Sequence, residues 1–312
     1  MMPRQTSNQA GLVLINALLL VTALAAVAVF LLQRGQDARV RQVAIQEVTQ
    51  AQAYLDGVEA LVVQTLSDDA RAGSADHLAE AWAKGIAADI DRGRALADVY
   101  DLQARFSLSW LAGGEGAFGA DMFQRLLVEL GLPSTIYDTL TAYMSDGGPD
   151  NLTPYLTKWP PVKPPGGRLG TVDELLLLPG LTENQFLRLR PFITVAEVEP
   201  VLNINTTPLP LLKAAMPNLA PGAIAALVDR RQAEPFETDD DLALWFAEAI
   251  KDQDESAATA SQFSVSSRWF GADISANLGQ THLARQLILR RSGETGTTRV
   301  ELRIVLHPDQ GR

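Results

Sequence analysis

The sequence predicts an α+β fold in which a long N-terminal helix packs on an antiparallel sheet and an all-helical domain is inserted between the strands. Three observations predict it. An apolar run near the N-terminus continues directly into an amphipathic helical pattern, and the C-terminal part alternates apolar and polar residues as strands do. Between them lies a stretch with repeated Pro, Gly and helix-start residues, which is typical of short helices.

Composition limits the classes of function. The chain has 312 residues, of which 47% are hydrophobic and 20% charged, as in ordinary folded proteins. Its net charge of -11 argues against nucleic acid as a partner, because binding to phosphate backbones depends on Lys and Arg. The sequence has no cysteine, and its three histidines, His77, His282 and His307, are scattered. Without a recognisable nucleophile or acid/base motif, we expect no enzyme.

The first predicted element is a membrane-spanning helix over residues 12–32. Residues 5–33 carry no charged side chain, and only Asn16 and Thr22 interrupt the apolar run that begins at Leu12. As a helix rising about 1.5 Å per residue, this run spans roughly 31 Å, which matches the hydrocarbon core of a bilayer.

The alternative for this segment is a cleaved secretory signal. Residues 26–28 (Ala-Val-Ala) have the small-x-small form of a signal-peptidase site, and cleavage there would leave a mature N-terminus near Val29. Against this, the apolar run is longer than a typical signal core and leads into the next helical pattern without a break. Charge does not fix the orientation, because one arginine precedes the helix and three follow it closely.

The same helix is predicted to continue to about Ser67. Its apolar residues recur at steps of three and four and therefore form one stripe. The stripe consists of Ala44, Val48, Ala51, Leu55, Val58, Val62 and Leu66. We expect this stripe to pack on the sheet.

The C-terminal residues predict an antiparallel hairpin. Its first strand, residues 282–290, and its second strand, residues 299–307, are joined by the turn-forming residues 292–296. The leucines of the first strand share one parity: Leu283, Leu287 and Leu289. The apolar residues of the second alternate with polar ones: Val300, Leu302, Ile304 and Leu306. Two more strands are expected, over residues 270–276 and 99–108.

The middle of the chain predicts short helices. They cover residues 120–130, 133–144, 171–178, 182–189, 208–215, 221–232 and 238–250. Thr171 and Thr182 are predicted N-caps, with Glu174 and Gln185 at the spacing of a capping box. The acidic residues 239–241 are expected in the first turn of the last helix, where the helix dipole favours negative charge.

Short motifs in a fixed order complete the pattern. They are residues 76–82 (DHLAEAW), 101–108 (DLQARFSL), 172–175 (VDEL), 191–194 (PFIT), 202–206 (LNINT), 235–236 (PF) and 239–242 (DDDL). With the N-terminal Gly11 and the apolar helix, this order resembles the type II secretion system minor pseudopilin K family. The resemblance covers almost the whole chain, and each motif alone is weak.

The resemblance implies a domain organisation and a processing event. Residues 1–11 would be a leader, 12–32 the membrane helix, 33–110 with 262–312 a pseudopilin-like α+β domain, and 111–261 the inserted helical domain. Prepilin peptidase would cut after Gly11 and methylate the new N-terminus at Leu12. The fifth mature residue is usually Glu in pilin-like proteins. Here it is Asn16, and the K subunits similarly lack this Glu.

The function that the resemblance implies is a structural one. The resemblance implies a minor pseudopilin at the tip of the pseudopilus, a subunit that initiates assembly for protein export across the outer membrane. The implied partners are the minor pseudopilins I and J, other pseudopilins, prepilin peptidase and the bacterial inner membrane, with the soluble domain in the periplasm. A bulky insertion fits a tip position, because it would clash with a subunit stacked above it.

A membrane-anchored protein for DNA binding or DNA uptake is the alternative. Residues 178–182 and 203–242 resemble helix-hairpin-helix elements, which hold DNA backbones in other proteins. The net charge disfavours this function, and Pro179-Gly180-Leu181 lacks the Gly-x-Gly form that lets a backbone approach phosphate.

The resemblance also raises calcium as a cofactor. Family members bind calcium in an acidic loop of the insertion, and the corresponding residues here are 145–151 (SDGGPDN). Calcium takes about six to eight oxygen ligands, so Asp146 and Asp150 are the candidate ligands, with Asn151 and backbone carbonyls adding others. A plain turn built from Asp, Gly and Pro is the alternative.

Overall fold

A computed structural model describes residues 8–112, 116–164 and 166–306. Residues 1–7 of the predicted leader and His307, at the end of the second hairpin strand, lie outside this range. Within it, the fold is the predicted combination of a long N-terminal helix, an antiparallel sheet and an inserted helical segment.

The N-terminal helix α1 extends over Asn8–Ala72. It is long and apolar enough near the N-terminus to cross a membrane, and residues 12–46 are exposed along their whole length. At about 1.5 Å per residue, these 35 exposed residues project roughly 52 Å beyond the part of the helix that is covered by the sheet.

The covered part of α1 carries most of the predicted stripe. Its residues Ala51, Leu55, Val58, Val62 and Leu66 are buried. The prediction was wrong for Ala44 and Val48, which are exposed. The sheet is too short to cover these two residues. It ends near Glu47, which makes an ion pair of 3.1 Å with Arg92 in the turn after the first strand.

The main sheet has five antiparallel strands in the order β1-β2-β7-β8-β9. Their bounds are β1 Ile86–Ile90, β2 Gly93–Asp101, β7 Trp269–Leu278, β8 Thr281–Arg291 and β9 Thr298–Leu306. The face toward α1 is lined largely by small residues, among them Ala95, Ala97, Ala272 and Ala276, which let the helix approach closely. In this core the rings of Trp82 and Phe270 pack in an edge-to-face arrangement, with their centroids 5.3 Å apart.

The sheet confirms the hairpin and corrects two strand predictions. β8 and β9 are the predicted pair, and β7 contains the predicted strand at 270–276. The strand predicted at 99–108 instead begins at Gly93 and ends at Asp101, and the sequence analysis missed β1 altogether. Both errors come from small residues, because strands rich in Ala and Gly lack the β-branched signal on which strand prediction depends.

A β-bulge prevents the alternating apolar residues of β9 from lying on one face of the sheet, as the sequence predicted. Pairing with β8 shifts between Ile288 and Leu289, so that Leu289 pairs with Val300 but Ile288 pairs with Leu302. Because a one-residue shift turns the following side chains to the opposite face, Val300 faces α1 whereas Leu302 faces away from it. Arg303 thereby takes the α1 side.

The inserted segment is helical apart from two very short strands. Its helices are α2 Gly116–Glu129, α3 Thr135–Met144, α4 Thr153–Leu156, α5 Glu183–Leu189, α6 Leu209–Ala215, α7 Pro221–Ala233, α8 Asp239–Ala249 and α9 Gln253–Ala260, with 3₁₀ turns at Val172–Leu177 and Arg190–Phe192. α4 and α9 were not predicted, because they have little apolar periodicity, and a 3₁₀ turn at Val172–Leu177 replaces the helix predicted there.

Two-residue parallel pairs link the insertion to the main domain. β3 Phe106–Ser107 pairs with β4 Ile193–Thr194, and β5 Leu202–Asn203 pairs with β6 Phe263–Ser264. The insertion has its own core around Phe123, separate from the core between α1 and the sheet.

The insertion joins the sheet at one end, here called the distal end and defined by Asp101, Phe270 and Arg291. The chain leaves β2 at Asp101 and returns to β7 at Trp269. The last turn of α1 reaches the same end, because Asp69 makes an ion pair of 3.1 Å with Arg291. The insertion therefore lies at the opposite end of the sheet from the membrane segment.

Candidate functional site

The processing residues predicted from the sequence lie on α1. Gly11, Leu12 and Asn16 are all helical, and the side chains of Leu12 and Asn16 are exposed. Exposed apolar side chains continue over residues 12–32, which makes a surface far larger than soluble proteins usually leave uncovered. Lipid or neighbouring apolar helices are the environments that such a surface requires.

Ion pairs hold the C-terminal half of α1 against the sheet. Glu59 accepts hydrogen bonds from Arg285 of β8 and from Arg303 of β9, at 3.1 Å and 3.0 Å. Burial raises the pKa of Glu59, but the two arginines outweigh this effect and bring the pKa below its ordinary value. With Asp69 bound to Arg291 near its end, the helix is held at two levels.

The family-like motifs meet in a buried polar junction at the distal end. The Nδ2 of Asn203 donates to the Oδ2 of Asp101 at 3.1 Å and to the Oγ of Ser267 at 2.9 Å. Thr206 and Ser267 each donate to the same Asp101 oxygen at 2.6 Å. Burial raises the pKa of Asp101 to about 6, although the bonds from Ser267 and Thr206 lower it.

Asp101 and Asn203 belong to two separate sequence motifs, and their contact was not predicted. They are 102 positions apart, and the insertion brings them together. The signal that could have found them is chemical: each is a short polar residue next to an apolar one, and a buried polar group needs a partner. This junction holds the two connections of the insertion to the sheet.

A second acidic group lies next to this junction, where α1 ends. Asp69, Asp76 and Glu80, here called the helix-end cluster, each place a carboxylate oxygen within 4.8 Å of the others. Asp76 is 1% exposed and its Oδ2 is bound by Arg291 and by the Ser267 N–H. Burial and the neighbouring charges of Glu80 and Asp76 raise the pKa of Asp69 to about 7.

The predicted calcium ligands are elsewhere. Asp146 and Asp150 lie on an exposed turn between α3 and α4, in which Gly148 N–H donates to Ser145 C=O at 2.8 Å. The side chain of Asn151 accepts from Thr153 N–H at 3.1 Å, which forms a local turn just before α4. Of the residues that the structure describes, the group of three acids within mutual reach is the helix-end cluster, and neither Asp146 nor Asp150 belongs to it.

The segment that resembles helix-hairpin-helix elements uses its polar groups internally. The capping box of Thr182 and Gln185 is confirmed, with Thr182 N–H donating to Gln185 Oε1 at 2.9 Å. On α7, Arg230 lies 3.5 Å from Asp241, and Arg231 donates to the carbonyl of Ile204. Both arginines are therefore engaged within the chain.

The acidic residues 239–241 form the first turn of α8, as predicted. Thr238 caps this helix by accepting from Asp241 N–H at 3.1 Å. Asp239 also accepts from Val265 N–H at 2.9 Å and so connects the insertion to the returning chain.

Comparison with known proteins agrees with this architecture. Two family models, both described as type II secretion system (T2SS), protein K, match residues 104–198 and 202–266. These two regions contain the Asn203 side of the junction and most of the insertion.

A curated relative and a solved structure extend the match. Type II secretion system protein K of Pseudomonas aeruginosa is 31% identical, over 95% of this chain and 92% of the relative. The crystal structure of the GspK-GspI-GspJ complex from the enterotoxigenic Escherichia coli type 2 secretion system contains a chain with a TM-score of 0.72 and 21% identity. That match covers 86% of this chain and 99% of the other, and it shows a shared fold. The chain belongs to the type II secretion system protein K family.

Proposed function

We propose that this chain is the minor pseudopilin at the tip of the type II secretion pseudopilus, a structural subunit that initiates assembly for protein export across the outer membrane. The observation that carries the proposal is the position of the insertion. It joins the sheet at the distal end, beside the last turn of α1, and so lies beyond the helix rather than beside the membrane.

This position limits the filament sites that the subunit fits. In a filament of parallel N-terminal helices, the next subunit above would occupy the space over the distal end. The insertion, with its own hydrophobic core, fills that space. A subunit with such a cap therefore fits the upper end of a filament and leaves α1 free for neighbours below.

The exposed part of α1 is the surface proposed for partners. Exposed apolar side chains cover residues 12–32, and beyond this segment Val40 and Ile45 are also exposed. The related fold occurs in a complex with GspI and GspJ. We therefore assign the minor pseudopilins I and J as the partners that pack on this helix, with other pseudopilins below them.

Processing and topology follow from the same assignment. Prepilin peptidase would cut after Gly11 on the cytoplasmic side and methylate Leu12, leaving residues 12–32 in the inner membrane and the soluble domain in the periplasm. A buried carboxylate in an apolar bundle needs a partner, usually the N-terminal amine of a neighbour. Asn16 at the fifth mature position suits a subunit that has no neighbour above it to supply that amine.

Single-cysteine crosslinking tests the proposal, because the chain has no cysteine of its own. Val40→Cys places a thiol on the exposed helix, and Val128→Cys is the matched control on the insertion. The two side chains have similar exposure, 70% and 75%. With cysteines in the helices of subunits I and J, we expect crosslinks from Val40→Cys and none from Val128→Cys.

Two results would contradict the tip assignment. One is a crosslink from Val128→Cys to a pseudopilin stacked on the insertion. The other is the absence of Val40→Cys crosslinks from cells in which the secretion system is active. Salt-dependent binding of the purified chain to DNA would instead favour the DNA-binding alternative.

A further inference from the structure

A groove lies where the insertion meets the face of the sheet that is turned away from α1, and it is here called the outer groove. Its volume is about 690 Å³. The connection over residues 195–200 forms one part of its lining, and the sheet contributes Trp269, Ile288, Arg290 and Leu302. Leu302 is 41% exposed, because the bulge in β9 turns it to this face. The outer groove therefore presents apolar side chains to solvent on the side opposite α1.

A second cavity of about 540 Å³, here called the basic pocket, adjoins the outer groove at the β8–β9 turn. Four arginines and one acid line it: Arg268, Arg290, Arg291, Arg299 and Glu294. Arg290 lines both cavities, so the two are continuous. The excess of positive charge is local, because the whole chain has a net charge of -11. The basic pocket therefore favours an anionic ligand.

The arginines of the basic pocket, apart from the buried Arg291, keep donors for such a ligand. Arg268 and Arg299 each contact one acid, Glu199 at 3.4 Å and Glu301 at 2.7 Å. A guanidinium has five N–H donors, so one such contact leaves most of them available. Arg290 instead stacks on the ring of Trp269, 5.2 Å from its centroid, and has no acid within ion-pair distance in the described part of the chain.

The position of Arg290 also favours a bound carboxylate. Arg290 and Arg299 are directly opposite each other on β8 and β9. Like charges in this arrangement are destabilising, and a carboxylate between them relieves the repulsion. Because stacking on Trp269 fixes the plane of the Arg290 guanidinium, that group is already oriented for a two-point contact with a carboxylate.

The outer groove differs from the basic pocket in charge. Its charged lining balances, with Arg168 and Arg290 against Glu197 and Glu199, and Arg168 and Glu197 pair with each other. The indole N–H of Trp269 is buried and has no acceptor among the residues that the structure describes. Buried indole N–H groups usually have a hydrogen-bond partner, and a bound polypeptide offers backbone carbonyls to this donor.

We propose that the outer groove and the basic pocket together bind an extended segment of a partner protein that carries carboxylate side chains next to apolar ones. The apolar side chains cover Leu302 and Ile288 in the groove, and the carboxylates bind Arg290 and Arg299 in the pocket. A free phosphate ion would fill only the basic pocket and leave Leu302 uncovered, so the two features together favour a polypeptide. This surface is on the other side of the sheet from α1, and the inference does not depend on the tip position.

Peptide binding to the full chain in detergent tests the proposal by fluorescence anisotropy. The probes are fluorescein-labelled eight-residue peptides that carry two Leu and three Glu in varied order on a background of Ser. Two matched panels replace every Glu by Gln or by Lys. Inorganic phosphate is added as a competitor in a separate arm.

The test variants each have a control of similar exposure on the same sheet. Arg299→Glu is matched by Arg94→Glu, since these side chains are 68% and 63% exposed and each contacts one acid. Leu302→Ser is matched by Leu96→Ser, since these leucines are 41% and 38% exposed. Circular dichroism checks that every variant is folded, and Arg290→Gln is a further test variant that keeps most of the side chain.

We expect the Glu peptides to bind, and the Gln and Lys peptides to bind about tenfold more weakly or less. Arg299→Glu and Arg290→Gln are expected to weaken binding about tenfold, and Leu302→Ser about threefold, whereas both controls bind as the unaltered chain does. Four results would overturn the proposal: no Glu peptide binds, the Gln panel binds equally well, the folded test variants keep full affinity, or phosphate displaces the peptide at equal concentration. The last result would identify a pocket for small anions only.

Discussion

The carboxylate of Glu59 on α1 accepts hydrogen bonds from the Nε–H of Arg303 on β9, which lies 3.0 Å from each of its oxygens. Arg285 on β8 donates to the same carboxylate. One acid thus connects the long helix to two adjacent strands. This connection fixes the position of the long helix on the sheet.

The Glu59 connection predicts a loss of stability in Glu59→Gln. The side chains of Glu59 and Arg285 are only 12% and 15% exposed, so removing the acid leaves a largely buried guanidinium with one exposed partner, Asp56. We expect the free energy of unfolding to fall by about 1–3 kcal/mol. Thermal unfolding of the full chain in detergent measures it.

Asp56→Asn is the matched control for this variant. Asp56 makes an ion pair of 2.9 Å with the same Arg285, but its side chain is 69% exposed. Because solvent screens exposed pairs, we expect a change below about 0.5 kcal/mol. Equal effects of the two variants would show that burial does not determine the strength of this connection.

The same pair predicts a pH dependence. Burial raises the pKa of Glu59, yet Arg303 and Arg285 bring it below the ordinary 4.5. A folded pKa below the unfolded one stabilises the fold above the unfolded value, and this contribution is lost as the pH falls through the folded pKa. The difference in unfolding temperature between the unaltered chain and Glu59→Gln is therefore expected to shrink below about pH 4.5. A difference that stays constant down to about pH 3 would contradict this assignment.

The polar junction predicts a large effect of Asn203→Ala. Asn203 is fully buried, and its Nδ2 donates to Asp101, Ser267 and the carbonyl of Asp76. Its loss leaves buried acceptors unpaired and is expected to lower the free energy of unfolding by about 2–4 kcal/mol. Thermal unfolding is again the measurement.

An exposed asparagine of the insertion serves as the comparison. Asn218 is exposed, and its side chain donates a hydrogen bond to Glu255 at 3.0 Å. Asn218→Ala is expected to change stability by less than about 0.5 kcal/mol. If Asn203→Ala were as mild as Asn218→Ala, the junction would not be what holds the insertion to the sheet.

Two tryptophans give a fourth prediction. Trp82 is fully buried between α1 and the sheet, against Phe270, whereas Trp159 is 94% exposed. Trp82→Ala is expected to cost about 3–5 kcal/mol of stability, because it leaves a large cavity. Trp159→Ala is expected to change stability by less than about 0.5 kcal/mol. Loss of near-ultraviolet circular dichroism on heating measures both, and similar melting curves for the two variants would refute the packing described here.

Local signals in the sequence were enough for much of the fold. The apolar run and its amphipathic continuation predicted α1, and the alternation around residues 292–296 predicted the hairpin of β8 and β9. The capping boxes at Thr171 and Thr182 predicted to within a residue where the 3₁₀ turn Val172–Leu177 and α5 begin, because the bonds involved join positions only three apart.

Features that depend on distant residues could not be predicted in this way. The bulge that turns Arg303 toward α1 is set by pairing with β8 and has no local signature in β9. The helix-end cluster depends on the exact end of α1 and on Arg291, which is 215 positions from Asp76. The sequence alone therefore does not indicate that Asp69 lies beside Arg291.

The processing prediction at Gly11 and Leu12 concerns the helix on which the whole account depends. Intact-mass and N-terminal analysis of the mature chain, extracted from membranes of cells with an active secretion system, tests it most directly. The account predicts a chain that begins at a methylated Leu12, stays in the membrane fraction, and remains uncut in Gly11→Val. A soluble chain that begins near Val29 would contradict it.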